Sequence, residues 1–199
     1  MKKQLIFALT LIATPLVAAE QPGADAVKDT SYVDANGHRV QQLTADIDAP
    51  VLDVWNAFAT DEGFVSWAAP VAHVTLANDG MIEASYSLSA KIGDPDNIRN
   101  RIVAYVPERV MVLANDHAPK NAPFDAAAFQ SIRTVIEFQA VDKTHTRVTE
   151  SGVGYGDGAA YDGVYKHFVR GNTYEFALLV QRFRTGPVDW KKALANAQQ

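Results

Sequence analysis

The chain has 199 residues, with 18 Lys and Arg against 23 Asp and Glu, a formal net charge of -5 and no cysteine. Without thiols there can be no disulfide framework, cysteine nucleophile, lipid-anchored cysteine or thiolate metal site, so stability must come from a packed core. Charges of both signs are interspersed and form no basic stripe that would neutralise phosphates, so nucleic acid is not an expected partner.

The first residues read as a targeting segment. Lys2 and Lys3 precede an apolar stretch over residues 5–17, and Val17, Ala18 and Ala19 form a small-residue cleavage pattern before Glu20. Residues 1–19 are therefore expected to be a signal peptide, and the mature protein to be exported, periplasmic or secreted. Pro15 interrupts the apolar stretch, which is shorter than the roughly 20 residues that cross a bilayer. No later segment comes closer, so stable membrane insertion is not expected. The remaining length of about 180 residues suits one domain.

Residues 20–36 are small and polar without periodicity and read as a leader or linker, with a trace of strand near Tyr32 and Val33. The domain proper is expected over residues 37–186. Leu43, Ala45 and Ile47 alternate as a strand that runs through Asp48, Ala49 and Pro50 into a short amphipathic helix carrying Val51, Val54, Trp55 and Phe58. A second helical turn follows over residues 60–67. Residues 71–76 and 81–88 flank Asn78, Asp79 and Gly80, a turn cluster suited to a hairpin. Ile98, Asn100, Ile102, Ala104 and Val106 alternate up to Pro107, after which Glu108 and Arg109 turn the chain into residues 110–113. Residues 115–129 read as an irregular rim loop with a helical turn at its end. A last hairpin spans residues 133–140 and 146–155, and one long amphipathic helix runs over about residues 161–184. Residues 187–199 read as a short helix or tail. The sum is an α+β domain of six or seven antiparallel strands, with two short helices after the first strand and a long helix at the end.

On a wheel of about 100° per residue, Tyr161, Val164, Tyr165, Phe168, Phe176, Leu179, Val180 and Phe183 of the long helix share one face. Asn172 lies near the middle of that face and Glu175 near its edge. Either Asn172 bonds a neighbouring strand and Glu175 pairs with an arginine, or both project into a cavity and orient a ligand. Trp67, at a corner before Ala68, Ala69 and Pro70, either packs or lines a pocket mouth. Tyr86, Tyr105, Tyr155, Tyr161 and Tyr165 are available as hydroxyl donors. The five histidines share no i, i+4 spacing, so no metal site is expected. No serine sits in a Gly-x-Ser-x-Gly turn, and the glycines at 152, 154 and 156 belong to no βαβ unit, so neither a hydrolase triad nor a dinucleotide site is implied. No cofactor is expected.

The run Asp48-Ala49-Pro50 with Val54-Trp55 and Phe58, then Trp67, Gly93-Asp94, Asn100-Arg101-Ile102, Pro107-Glu108-Arg109, Thr146-Arg147-Val148-Thr149, Gly154-Tyr155, and finally Phe168, Gly171 and Asn172, resembles the SRPBCC superfamily. The branch it looks most like is the C-terminal domain of the activator of Hsp90 ATPase, over about residues 40–184. The resemblance implies a helix-grip fold, a curved antiparallel sheet wrapped around the C-terminal helix with an apolar cavity between them. Its members include lipid carriers, hormone receptors, cyclases and co-chaperone domains, so the fold does not select a function.

The leading expectation is an exported domain that holds a small hydrophobic ligand between sheet and helix, lined by Trp67, Tyr86, Tyr165, Phe168, Asn172, Glu175 and Phe176. One alternative is a cyclase- or dehydratase-like enzyme that uses Glu175 as general acid or base. Another is a periplasmic interaction module, co-chaperone-like, that meets a protein partner through the 115–129 loop or the segment holding Trp190, Lys191 and Lys192.

Overall fold

The computed structural model describes residues 23–196, and the residues read as a signal peptide lie outside them. A 3-10 turn (Ala24–Ala26) leads into strands β1 (Val27–Asp29), β2 (Tyr32–Val33) and β3 (Arg39–Ile47). Helices α1 (Val51–Ala59) and α2 (Asp61–Val65) follow, then β4 (Val71–Val74), β5 (Gly80–Ser85), β6 (Ile98–Val106) and β7 (Val110–His117). Next come α3 (Ala126–Ser131), β8 (Arg133–Ala140), β9 (Thr146–Val153), the long α4 (Ala159–Thr185) and α5 (Trp190–Asn196). The strands form one curved antiparallel sheet in the order β1-β3-β9-β8-β7-β6-β5-β4, with β2 also paired to β3. The α+β helix-grip architecture expected from the sequence is the one observed.

Nine strands are present among the described residues, against the six or seven expected. The extra two come from the segment read as a leader and pair with β3: β1 was not foreseen, and β2 lies at Tyr32–Val33, where a trace of strand was expected. They are three and two residues long, and none of their side chains is buried, so no apolar alternation marks them. β7 also runs on to His117 rather than stopping at Leu113, because Asn115 is satisfied by donating from Nδ2 to the Phe129 carbonyl at 3.1 Å. β5 ends at Ser85, and the chain leaves the sheet there with Tyr86.

α1 forms where the apolar spacing predicts, burying Val54, Trp55 and Phe58. Thr60 ends it and starts the next: its hydroxyl donates to the Asn56 carbonyl at 2.9 Å and accepts from the Gly63 amide at 3.0 Å. Trp55 meets Phe138 edge-on at 5.2 Å, and Phe58 lies between Phe138 and Trp67 at 5.1 and 4.8 Å. This aromatic block packs into the main core with Leu43, Ile47, Ile82, Ile102, Met111 and Val148. Two hairpin turns need left-handed backbone at non-glycine residues, Asp79 and Glu108, each with φ 59.

α4 is anchored at both ends and open in its middle. Phe176, Ala177, Leu178, Leu179 and Val180 are buried, as is Val164, whereas every residue from 165 to 175 keeps some exposure. Beyond α4 the chain folds back: the Val188 amide donates to the Ser66 carbonyl at 2.9 Å, and the Trp190 indole donates to the Val65 carbonyl at 2.6 Å. Packing thus accounts for Trp190. Because Phe176 is fully buried in the main core, Phe176→Ala is expected to cost about 3–5 kcal/mol in chemical denaturation.

Candidate functional site

The inward rows of β3 and β9 lie side by side. Gln41, Leu43, Ala45 and Ile47 on β3 are paired with Gly152, Glu150, Val148 and Thr146 on β9. One end of this surface is apolar and lies in the main core with Phe176, Leu179 and Val180. The other end carries Gln41, fully buried, and Glu150, 9% exposed, on the core side of the sheet. Polar side chains in such positions need partners, and the middle of α4 supplies one. Asn172 Nδ2 donates to Glu150 Oε1 at 2.5 Å and to Gln41 Oε1 at 3.1 Å, which ties helix and both strands together.

The network does not close on itself. Among the described residues, three buried side-chain atoms have no hydrogen-bond partner, and two of them, Gln41 Nε2 and Tyr155 Oη, belong here. Both residues lie against Gly152. A Cβ on Gly152 would stand 2.9 Å from Tyr155 Oη and 3.2 Å from Gln41 Oε1, so the bare backbone makes room for both side chains. Tyr155 is itself buried, with Tyr165 edge-on at 5.0 Å.

Glu175 lies three residues beyond Asn172, on the same side of the helix. Tyr86, just past β5, donates its hydroxyl to Glu175 Oε1, so this bond runs from the opposite end of the sheet to α4. Tyr86 is 45% exposed as a residue, yet its hydroxyl end is desolvated. That burial, with the facing Glu175 carboxylate, raises the phenol well above its ordinary value. Glu150 is pushed up to about 8, first by burial and then by the Glu175 charge, against the lowering effect of the Asn172 donor. Burial pushes Glu175 up to about 7, and the Tyr86 bond opposes it. At neutral pH Glu150 is therefore protonated, and Glu175 sits near its midpoint. A carboxylic acid, a titrating carboxylate, two tyrosine hydroxyls and two amides meet at one place, a set able to bind a polar group or to move a proton.

The seven residues singled out from the sequence divide into three groups. Asn172, Glu175 and Tyr86 converge on this polar seat. Tyr165 and Phe168 flank it: Tyr165 lies over Tyr155 with the Arg39 guanidinium 5.2 Å from its ring, and Phe168 stacks on Phe129 at 5.9 Å. Trp67 and Phe176 sit in the packed core, Trp67 with its indole donating to the Ala57 carbonyl at 2.8 Å. Glu175 is paired by a tyrosine rather than an arginine, and Asn172 reaches side chains on two strands. Sequence reasoning missed Gln41 and Glu150. The signal was present, since continuing the alternation of Ile47, Ala45 and Leu43 backward reaches Gln41, and continuing from Val148 reaches Glu150.

Two surface concavities are the best formed. One, of about 400 Å³, lies between the β2–β3 hairpin and the β9–α4 connection and is lined by Asp34, His38, Arg39 and Tyr155 among others. The other, of about 200 Å³, lies around residues 117–130. Neither is lined by α4, and neither includes Gln41, Glu150, Asn172 or Glu175.

No protein-family model matches the chain, and no curated protein matches it. Solved structures do. The Aha1 dimer from Colwellia psychrerythraea superposes with a TM-score of 0.55 at 13% identity, covering 74% of this chain and 97% of that one. An Hsp90 activator from Plasmodium falciparum gives 0.53 at 17% identity, covering 75% and 97%. CalU16 from Micromonospora echinospora gives 0.54 at 14% identity, covering 87% and 89%. The chain therefore has the Aha1-like helix-grip fold that the sequence resemblance implied. At these identities the likeness concerns the fold.

The raised carboxyls set a pH dependence. Their ordinary value is 4.5, so between about 5 and 8 the folded chain holds more protons than the unfolded one. Stability then falls as pH rises through that window, by about 1.4 kcal/mol per pH unit for each carboxyl at most. Glu150→Gln is expected to flatten the curve of Tm against pH between 5 and 8 and to raise Tm at pH 8.

Proposed function

We propose that the protein is exported and binds a small hydrophobic molecule in the groove between the middle of α4 and the sheet. The observation that carries this reading is the change of burial along one helix face. Tyr165, Phe168, Asn172 and Glu175 face the sheet side and its neighbours yet remain accessible, while Val164 before them and Phe176 to Val180 after them are sealed. The helix is sealed at its two ends and partly exposed between them. Apolar burial against Tyr165 and Phe168 supplies affinity, and the polar seat supplies orientation. At about 25 cal/mol per Å² of apolar area, a lipid-sized surface gives micromolar binding once the cost of association is subtracted. The charged start, apolar stretch and Val17-Ala18-Ala19 pattern support export.

The test is native mass spectrometry of protein purified from its own host, together with titration of the neutral apolar dye Nile red. A bound species of small-molecule mass, displaced by the dye, is expected. Absence of both a bound species and dye binding would remove the binding reading.

A second reading, acid–base catalysis of the cyclase or dehydratase kind, has one observation in its favour: Glu150 and Glu175 are desolvated carboxyls in one groove, with the Tyr86 hydroxyl on Glu175. Under that reading, Glu175→Gln lowers turnover of any substrate found by about 10²–10⁴-fold while leaving Tm within a few degrees of the parent. Full retention of activity would reject the assignment.

A further inference from the structure

Resting on the binding reading above, we propose that the polar seat receives a neutral carbonyl oxygen, the ketone or ester end of an apolar ligand, and discriminates against the carboxylate of a free fatty acid. Two independent features lead there, one of hydrogen bonding and one of charge.

Gln41 Nε2 and Tyr155 Oη are buried and unpartnered, and Gln41 and Tyr155 pack against the same bare face of Gly152. An amide N–H can only donate, and a phenol above its ordinary value stays protonated and donates as well. Two unmet donors on residues that share the Gly152 face call for an acceptor, and an oxygen with two lone pairs can serve both. Of the other polar atoms, Gln41 Oε1 and Glu150 Oε1 accept from Asn172, and Glu175 Oε1 accepts from Tyr86.

The charge of the groove then selects among oxygens. Glu150 and Glu175 are the acids that face it, and among the described residues neither forms an ion pair. Arg39 is the nearest basic group placed against the tyrosines, and its guanidinium is engaged by Asp162 at 2.6 Å and the Gly156 carbonyl at 2.8 Å. A carboxylate head entering the seat would bring a charge into desolvated surroundings beside Glu175, with no unpaired cation placed against it among the described residues, which is costly at low dielectric. An ammonium head would meet the acids favourably but leave both donors unfilled. A neutral carbonyl satisfies the donors and adds no charge, while its chain lies along Tyr165 and Phe168.

The experiment compares three probes of matched chain length, 2-tridecanone, dodecanoic acid and dodecylamine, as competitors of Nile red on the mature protein at pH 7.5. The ketone is expected to bind about tenfold or more tighter than either charged probe, the discrimination that paired buried donors provide. Tyr155→Phe removes an unpartnered hydroxyl, so it leaves the fold intact. It is expected to weaken the ketone several-fold without changing acid or amine binding. Gln41→Leu, checked for Tm, is expected to do the same more strongly. Equal or tighter binding of the acid or the amine, or a ketone preference that survives both substitutions, overturns the proposal and leaves the binding reading standing. Failure of Nile red and all three probes to bind overturns the binding reading itself, and this proposal with it.

Discussion

The burial of the C-terminal half of α4 against β1 and β3 fixes the rest of the molecule. Phe176, Leu179 and Val180 are sunk in the main core, Arg184 reaches Asp25 at 3.0 Å, and Arg182 donates to the Ser66 hydroxyl at 3.0 Å. At the other end Val164 packs with Ala128, Ile132 and Tyr155. Between these two ends the middle of α4 spans the inner face of the curved sheet and meets it through Asn172, which bonds Gln41 on β3 and Glu150 on β9.

What fills the space under that span is polar. A buried glutamine and a glutamate on the core face of a sheet are costly unless satisfied, and Asn172 satisfies both with one amide group. Keeping Glu150 protonated removes the cost of a buried charge. A network serving stability alone would be expected to pair every donor, because an unmet one in low dielectric is where such a network loses energy. Here Gln41 and Tyr155 keep unmet donors, and the bare backbone of Gly152 lets both side chains pack against it.

The structural neighbours include a dimer and an Hsp90 activator, and they share the fold at 13 and 17% identity. Such a fold hosts many chemistries, and the difference between them lies in which residues occupy the inward rows of the sheet and the facing side of the helix. In this chain those residues are two carboxyls, two amides and two tyrosines beside a small apolar wall.

The sequence by itself determined the architecture: apolar spacing in α1 and α4, alternation in β3, β6 and β9, and turn residues such as Asp79 and Glu108 each dictate a local conformation through short-range sterics and the need to bury one face. It also marked Asn172 and Glu175, because polar residues on an apolar helix face stand out. The short β2 left only a trace at Tyr32 and Val33 and β1 left none, since backbone pairing at a sheet edge needs no particular side chain. Only the tertiary structure decided that Trp67 and Phe176 are core while Tyr86 reaches α4, and that Gln41, Glu150 and Tyr155 join Asn172. The physical reason is that a helix wheel or a strand alternation gives a residue's direction but not its distance from what it faces. That distance is set by the packing of Val164 at one end of α4 and of Phe176, Leu179 and Val180 at the other.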